Sequence, residues 1–122
     1  TIDILDGKVV NLGIEFTLMS DNDVNKFDVL AQASQDIRDK VVRSMFIGER
    51  FMITDVYKVL NATRGVADVI SVSLVNKRGG RYTQTGMDID TFLSADGRYL
   101  SCPDNVAFEI KYPLSDIKGT VK

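Results

Sequence analysis

Histidine does not occur in this 122-residue chain, and cysteine occurs once, at Cys102. The first absence removes the commonest general base, the commonest metal ligand and the usual activator of a serine or cysteine nucleophile. The second excludes an internal disulfide and a cysteine-built zinc site. No His, Lys or helix start near Cys102-Pro103 would lower the thiol pKa, so that side chain reads as inert. No apolar run approaches the roughly 18 residues of a membrane span, and no signal-peptide core follows Thr1. A basic excess is missing too: the net charge is -2 and the pI about 5.0, against the positive footprint of a nucleic-acid module. The start at Thr1 without an initiator Met leads us to expect a processed chain or an excised piece of a longer protein.

What is present suits a single domain, since domains run to about 100–150 residues and a chain of this size buries roughly two-thirds of its unfolded surface. Thr1–Leu5 alternates loosely and ends at the turn signal Asp6-Gly7. Across Lys8–Met19, Val10, Leu12, Ile14, Phe16 and Leu18 share one face, while Asn11, Gly13, Glu15 and Thr17 share the other. Such alternation predicts a half-buried strand with one wet side. Ser20–Asp23 offers capping side chains. From Val24 to Met45, Phe27, Leu30, Ile37, Val41 and Met45, with Ala31 and Ala33 nearby, predict an amphipathic helix covering the apolar sheet face.

Phe46, Ile47, Phe51 and Met52 form an apolar connection; Phe46 and Phe51 are expected to plug the core, and Met52 is left open between core and interface. Thr54 is expected to cap a short second helix that buries Val56, Val59 and Leu60, with Tyr57 at its third position and Gly65 as its left-handed stop. Val66–Val75 predicts a second strand, with Ile70, Val72 and Leu74 on one face and Ser71 and Ser73 on the other. Val106–Tyr112 predicts a third, stopped by Pro113. The order is strand, helix, helix, strand, long insert, strand. The expected fold is an α+β two-layer sandwich, a small sheet of three or more strands with two helices on one face.

The insert Asn76–Asn105 is too long and too apolar for a plain linker. Asp96-Gly97, between Phe92–Ala95 and Arg98–Leu100, signals a tight hairpin, so an ordered arm is expected. Phe92, Leu93, Tyr99 and Leu100 either pack that arm onto the sheet or meet a partner. Together with Met52, Tyr82, Met87, Ile89 and Arg98 they form the candidate protein interface. No catalytic, cofactor or metal residue is assigned. Asp88, Asp90, Asp96 and Asp104 lack the spaced oxygen ligands and closing Glu of a calcium loop and read as solvated loop acids, although a carboxylate enzyme acting on cell-wall glycan remains a rival. Lys77-Arg78-Gly79-Gly80-Arg81 looks like a phosphate nest but lacks the P-loop ending; a turn with solvated charges, or a salt bridge to an acidic partner, is the plainer reading.

Ile53-Thr54-Asp55-Val56-Tyr57-Lys58-Val59-Leu60, followed by Arg64-Gly65-Val66-Ala67-Asp68-Val69, resembles the C-terminal region of baseplate J-like proteins, wedge components of contractile-tailed bacteriophages. With the strand Val10–Leu18, the helix Val24–Met45 and Gly48-Glu49, the resemblance covers about Lys8–Val75. The insert and the ending Val106–Pro113 are similar to the large wedge protein of myoviruses. The resemblance implies a structural domain from the C-terminal part of a longer virion protein, assembled in the host cytoplasm. It would bind itself and other baseplate wedge proteins, and take no nucleic acid, membrane, cofactor or small-molecule substrate. A small regulatory or ligand-binding α+β module is the alternative.

Overall fold

The computed structural model describes residues 8–42, 46–82, 87–103 and 106–122. The strand β1 (Lys8–Ser20) runs through the middle of a five-stranded sheet. On one edge it pairs antiparallel with β4 (Val66–Lys77). Its other edge is shared end to end by two short parallel strands. The first, β6 (Val106–Glu109), lies beside Lys8–Asn11, and the second, β7 (Ile117–Val121), beside Ile14–Leu18. Beyond β6, β2 (Phe46–Ile47) completes the sheet. The break between β6 and β7 follows from Pro113, which has no N–H for a ladder. It begins the single turn α4 (Pro113–Asp116) and carries the chain out of line before β7 resumes.

Helices α1 (Lys26–Lys40) and α2 (Ile53–Ala62) cover one face of this sheet. Val10, Leu12, Ile14, Phe16 and Leu18 are buried there with Val29, Ala33 and Ile37 of α1 and with Val56 and Leu60 of α2. The architecture is the expected α+β sandwich. Helix α1 is shorter than the pattern over 24–45 implied: Asn25 caps it, accepting from the Phe27 and Asp28 N–H groups, and Val41 closes it. The buried stripe is Val29, Ala33, Ile37 and Val41, spaced by four. Phe27 lies two residues, about 200° of helix, from Val29 and is 83% exposed. Ala31 is exposed as well. Arg43, Met45, Thr1–Leu5 and Asp6-Gly7 lie outside the described residues, as do the side chains of Phe46 and Ile47. Phe51 is buried as expected.

Helix α2 begins at Ile53, so Met52, with no side-chain cap bond, stands at the N-cap that Thr54 was expected to fill. Tyr57 is accordingly the fifth helical residue rather than the third. Gly65 takes the left-handed backbone expected of it, with φ of 91°, one position beyond C′ because Thr63 is the C-cap. Strand β4 extends to Lys77, and its register against β1 shifts twice, between Thr17 and Leu18 and between Met19 and Ser20. Each shift leaves one β4 residue without an opposite, first Ile70 and then Ala67. The bulge turns Ile70 outward, 44% exposed, and puts Val69 into the core instead.

The face of β1 expected to be wet is dry over its first half, where Asn11 and Gly13 are buried. The chain around α4 folds back over it. A Cβ on Gly13 would stand 3.0 Å from the Asp116 carbonyl and 2.9 Å from the Lys77 stem. The Asn11 amide is satisfied by donating to Glu109 Oε1 at 2.8 Å. The third strand ends at Glu109, three residues short of Tyr112, although Ile110 stays buried. Strand β7 was not foreseen, because Gly119 interrupts the apolar alternation of Ile117 and Val121. A Cβ there would overlap the Phe16 ring and come within 2.7 Å of Leu30 Cδ1, so the glycine makes room for a core ring.

Candidate functional site: a groove beside an edge strand

The described part of the insert is stitched down by local bonds. Asp88 caps the turn α3 (Ile89–Phe92), accepting from the Asp90 N–H and from Thr91 Oγ1. The expected tight turn is present at Asp96-Gly97: the Gly97 N–H donates to Ser94 O at 3.0 Å, and Gly97 has φ of 72°. Ser94 Oγ accepts from the Arg98 and Tyr99 N–H groups and donates to Asp96 Oδ1. That hydroxyl, with the Arg98 N–H second, holds the Asp96 carboxyl below its ordinary range. Strand β5 (Tyr99–Leu100) then pairs antiparallel with β3 (Phe51–Met52) in a second, two-stranded sheet. The Arg98 carbonyl accepts from the Thr54 N–H at 3.2 Å. The insert thus supplies the start of α2 with an acceptor that no capping side chain provides.

Between the start of α2, the middle of β4, α3 and the Asp96–Arg98 turn lies a groove of about 420 Å³. Its walls are apolar at Ile53, Tyr57, Val72, Leu74, Ile89 and Leu93, and the rim residues Asp90, Asp96 and Arg98 are exposed. Among the described residues β4 has no strand beyond it. A 12-residue edge strand beside an apolar groove is a template for another chain.

The nine candidate interface residues fall into four places. Ile89, Leu93 and Arg98 line the groove, as does Tyr57. Met52 and Tyr99 face each other in the small sheet, where the Arg50 guanidinium lies 4.7 Å from the Tyr99 ring centre. Leu100 is a correction: it is 0% exposed and has no surface to offer a partner, because it packs into the core beneath the arm. Phe92 and Met87 are half-buried against that core, and the Met87 N–H donates to Asn76 Oδ1. Tyr82 lies elsewhere, donating its hydroxyl to Asp116 Oδ1 at 2.5 Å. Asp116 is buried and also accepts from the Tyr112 N–H. That carboxylate raises the Tyr82 pKa above the ordinary tyrosine value. Of the groove residues outside the candidate set, Val72 is half-buried, while Ile53 and Leu74 stay buried in the core and reach the groove only as its floor.

No protein-family model matches this chain, and no curated protein is significantly similar to it. Of the acids weighed as a cluster, Asp88 caps α3, Asp96 closes a turn and Asp90 stands on the groove rim; Asp104 lies outside the described residues. Among the described residues no three His, Cys, Asp or Glu side chains converge on a metal position. The Cys102 thiol is half-buried and donates to the Val106 carbonyl at 3.0 Å.

Proposed function

We propose that this chain is a structural protein–protein interaction domain of a phage tail baseplate wedge, which associates with itself and with neighbouring wedge subunits and has no catalytic role. The observation that carries the reading is the edge of β4, beyond which no strand lies among the described residues, with the apolar groove beside it. The resemblance to baseplate J-like proteins supplies the setting, a virion baseplate assembled in the host cytoplasm.

The test is light scattering of the chain alone, followed by co-purification with wedge subunits of a contractile-tailed phage. A stable contact is expected to cover more than about 1,000 Å². Ile89→Glu and Leu93→Glu, each checked for a native circular dichroism spectrum, should weaken association by placing charge in the groove. A chain that stays monomeric and retains no wedge subunit refutes the proposal. The groove volume also falls in the range of about 300–1,000 Å³ seen for small-molecule sites, which favours a ligand-binding module as the second reading. A thermal-shift screen with metabolite-sized compounds separates the two, since only that module should be stabilised.

A further inference from the structure

At the far end of β4 from the helix connection, the chain turns at Gly79-Gly80, both with positive φ, and meets the excursion that contains α4. Arg81 from the turn and Lys111 from the excursion meet there, and Lys77 and Arg78 precede the turn in the chain. The Arg81 guanidinium lies 4.6 Å from the centre of the Tyr112 ring, and Lys111 Nζ lies 5.6 Å from the same centre. Lys111 Nζ also donates to the Arg81 carbonyl. Tyr82 meets Tyr112 edge-on at 5.5 Å and is anchored through its hydroxyl to buried Asp116. Arg81 and Lys111 are thus held on a braced aromatic platform rather than on free stems. Among the described residues none of the four has an acidic side chain in ion-pair contact, whereas Arg98 has Asp96 at 3.3 Å.

We propose that this basic–aromatic platform is a docking site for an acidic segment of a partner protein. It rests on reading the chain as a protein-binding domain, but shares no residue with the groove. Two cations fixed around one ring repel each other, and a carboxylate placed between them would relieve that repulsion while accepting charge-assisted hydrogen bonds. Positioning Arg81 and Lys111 before binding lowers the entropy cost of meeting the ligand. A carboxylate-bearing peptide fits better than a nucleic acid. The Arg81 guanidinium already occupies one face of Tyr112, which leaves less of the ring to stack on a base, and the net charge of -2 repels a polyphosphate chain at longer range.

The test uses the full chain, isotopically labelled, titrated with hexaglutamate, hexaglutamine and a thymidine oligonucleotide and followed by NMR. Hexaglutamate at low salt should shift the ring signals of Tyr82 and Tyr112 and the amides of Gly79 and Gly80, and hexaglutamine should not. Arg81→Gln combined with Lys111→Gln should weaken binding about tenfold or more, while Lys118→Gln combined with Lys122→Gln leaves it unchanged. Binding should fade as salt rises to about 0.2 M. Three results would each overturn the inference: no shifts with hexaglutamate, equal binding by the Arg81/Lys111 variant, or tighter binding of the oligonucleotide. Leu93→Glu separates the two proposals, since it should impair wedge association and spare hexaglutamate binding. If wedge association persists while hexaglutamate fails to bind, the platform inference falls alone.

Discussion

Leu100→Ala probes whether the insert is part of the core or an arm laid upon it. Leu100 is fully buried, pairs with Phe51 across the small sheet and bridges to Leu93. Truncation removes three carbon groups at about 0.8 kcal/mol each, or roughly 2.4 kcal/mol of transfer free energy. The cavity left under a bonded turn adds to this, giving about 3 kcal/mol, inside the roughly 2–5 kcal/mol span of such truncations. With an unfolding entropy of roughly 2.1 cal/mol/K per residue, 122 residues give about 0.26 kcal/mol/K, so Tm should fall by about 12 °C. Calorimetry and urea unfolding of the variant measure this. Leu114→Ala, at a site 83% exposed, is the control and should change stability by less than about 0.5 kcal/mol. If Leu100→Ala matches that control, or unfolds in two steps with the main transition unmoved, the insert is a detachable arm and the reasoning fails.

Gly119→Ala should cost about 1–3 kcal/mol by overpacking, because the added methyl overlaps the Phe16 ring; thermal unfolding reads it, and a neutral outcome contradicts the β1–β7 register. Asn25→Ala should cost about 1 kcal/mol through two N–H groups left without their acceptor at the start of α1, measured by urea unfolding with Asn25→Asp as the rescuing substitution. Tyr82 has its pKa raised above 10.0, first by donating a hydrogen bond to Asp116 and then by burial. Its folded value exceeds its unfolded one, so the stability it contributes is whole below pH 10 and is lost as the pH rises through the folded value. A difference titration of tyrosine absorbance between the parent and Tyr82→Phe should show an ionisation above pH 10; one at or below that value refutes the Tyr82–Asp116 bond.

The alternation of β1 was legible because its Val10–Leu18 face meets a single apolar layer, and a period of two survives when one neighbour decides burial. The Asp96-Gly97 turn was legible because its chemistry is local. The cap of α2 was not. The group that satisfies the Thr54 N–H is the Arg98 carbonyl, 44 residues along the chain, and any residue type carries a carbonyl. Phe27 misled because an exposed phenylalanine looks like a core one until its helix has a phase, and that phase is set by where Asn25 starts the helix. Ile89, Leu93 and Arg98 belong to one groove, whereas Leu100, also apolar and two residues from Arg98, points into the core because β5 pairs with β3.

By itself, then, the order of residues determined the α+β class, the helix-facing stripe of β1, the left-handed stop at Gly65 and the turn at Asp96-Gly97. Those features depend on contacts within a few residues or on one repeated period. Tertiary structure alone decided that β1 is flanked by two part-strands, that Asn11 and Gly13 lie under the α4 excursion, that β4 ends the sheet among the described residues, and that Arg81 and Lys111 share the Tyr112 ring. Each of these depends on which distant segment arrives at an edge, and backbone hydrogen bonds carry no side-chain signature of their partner.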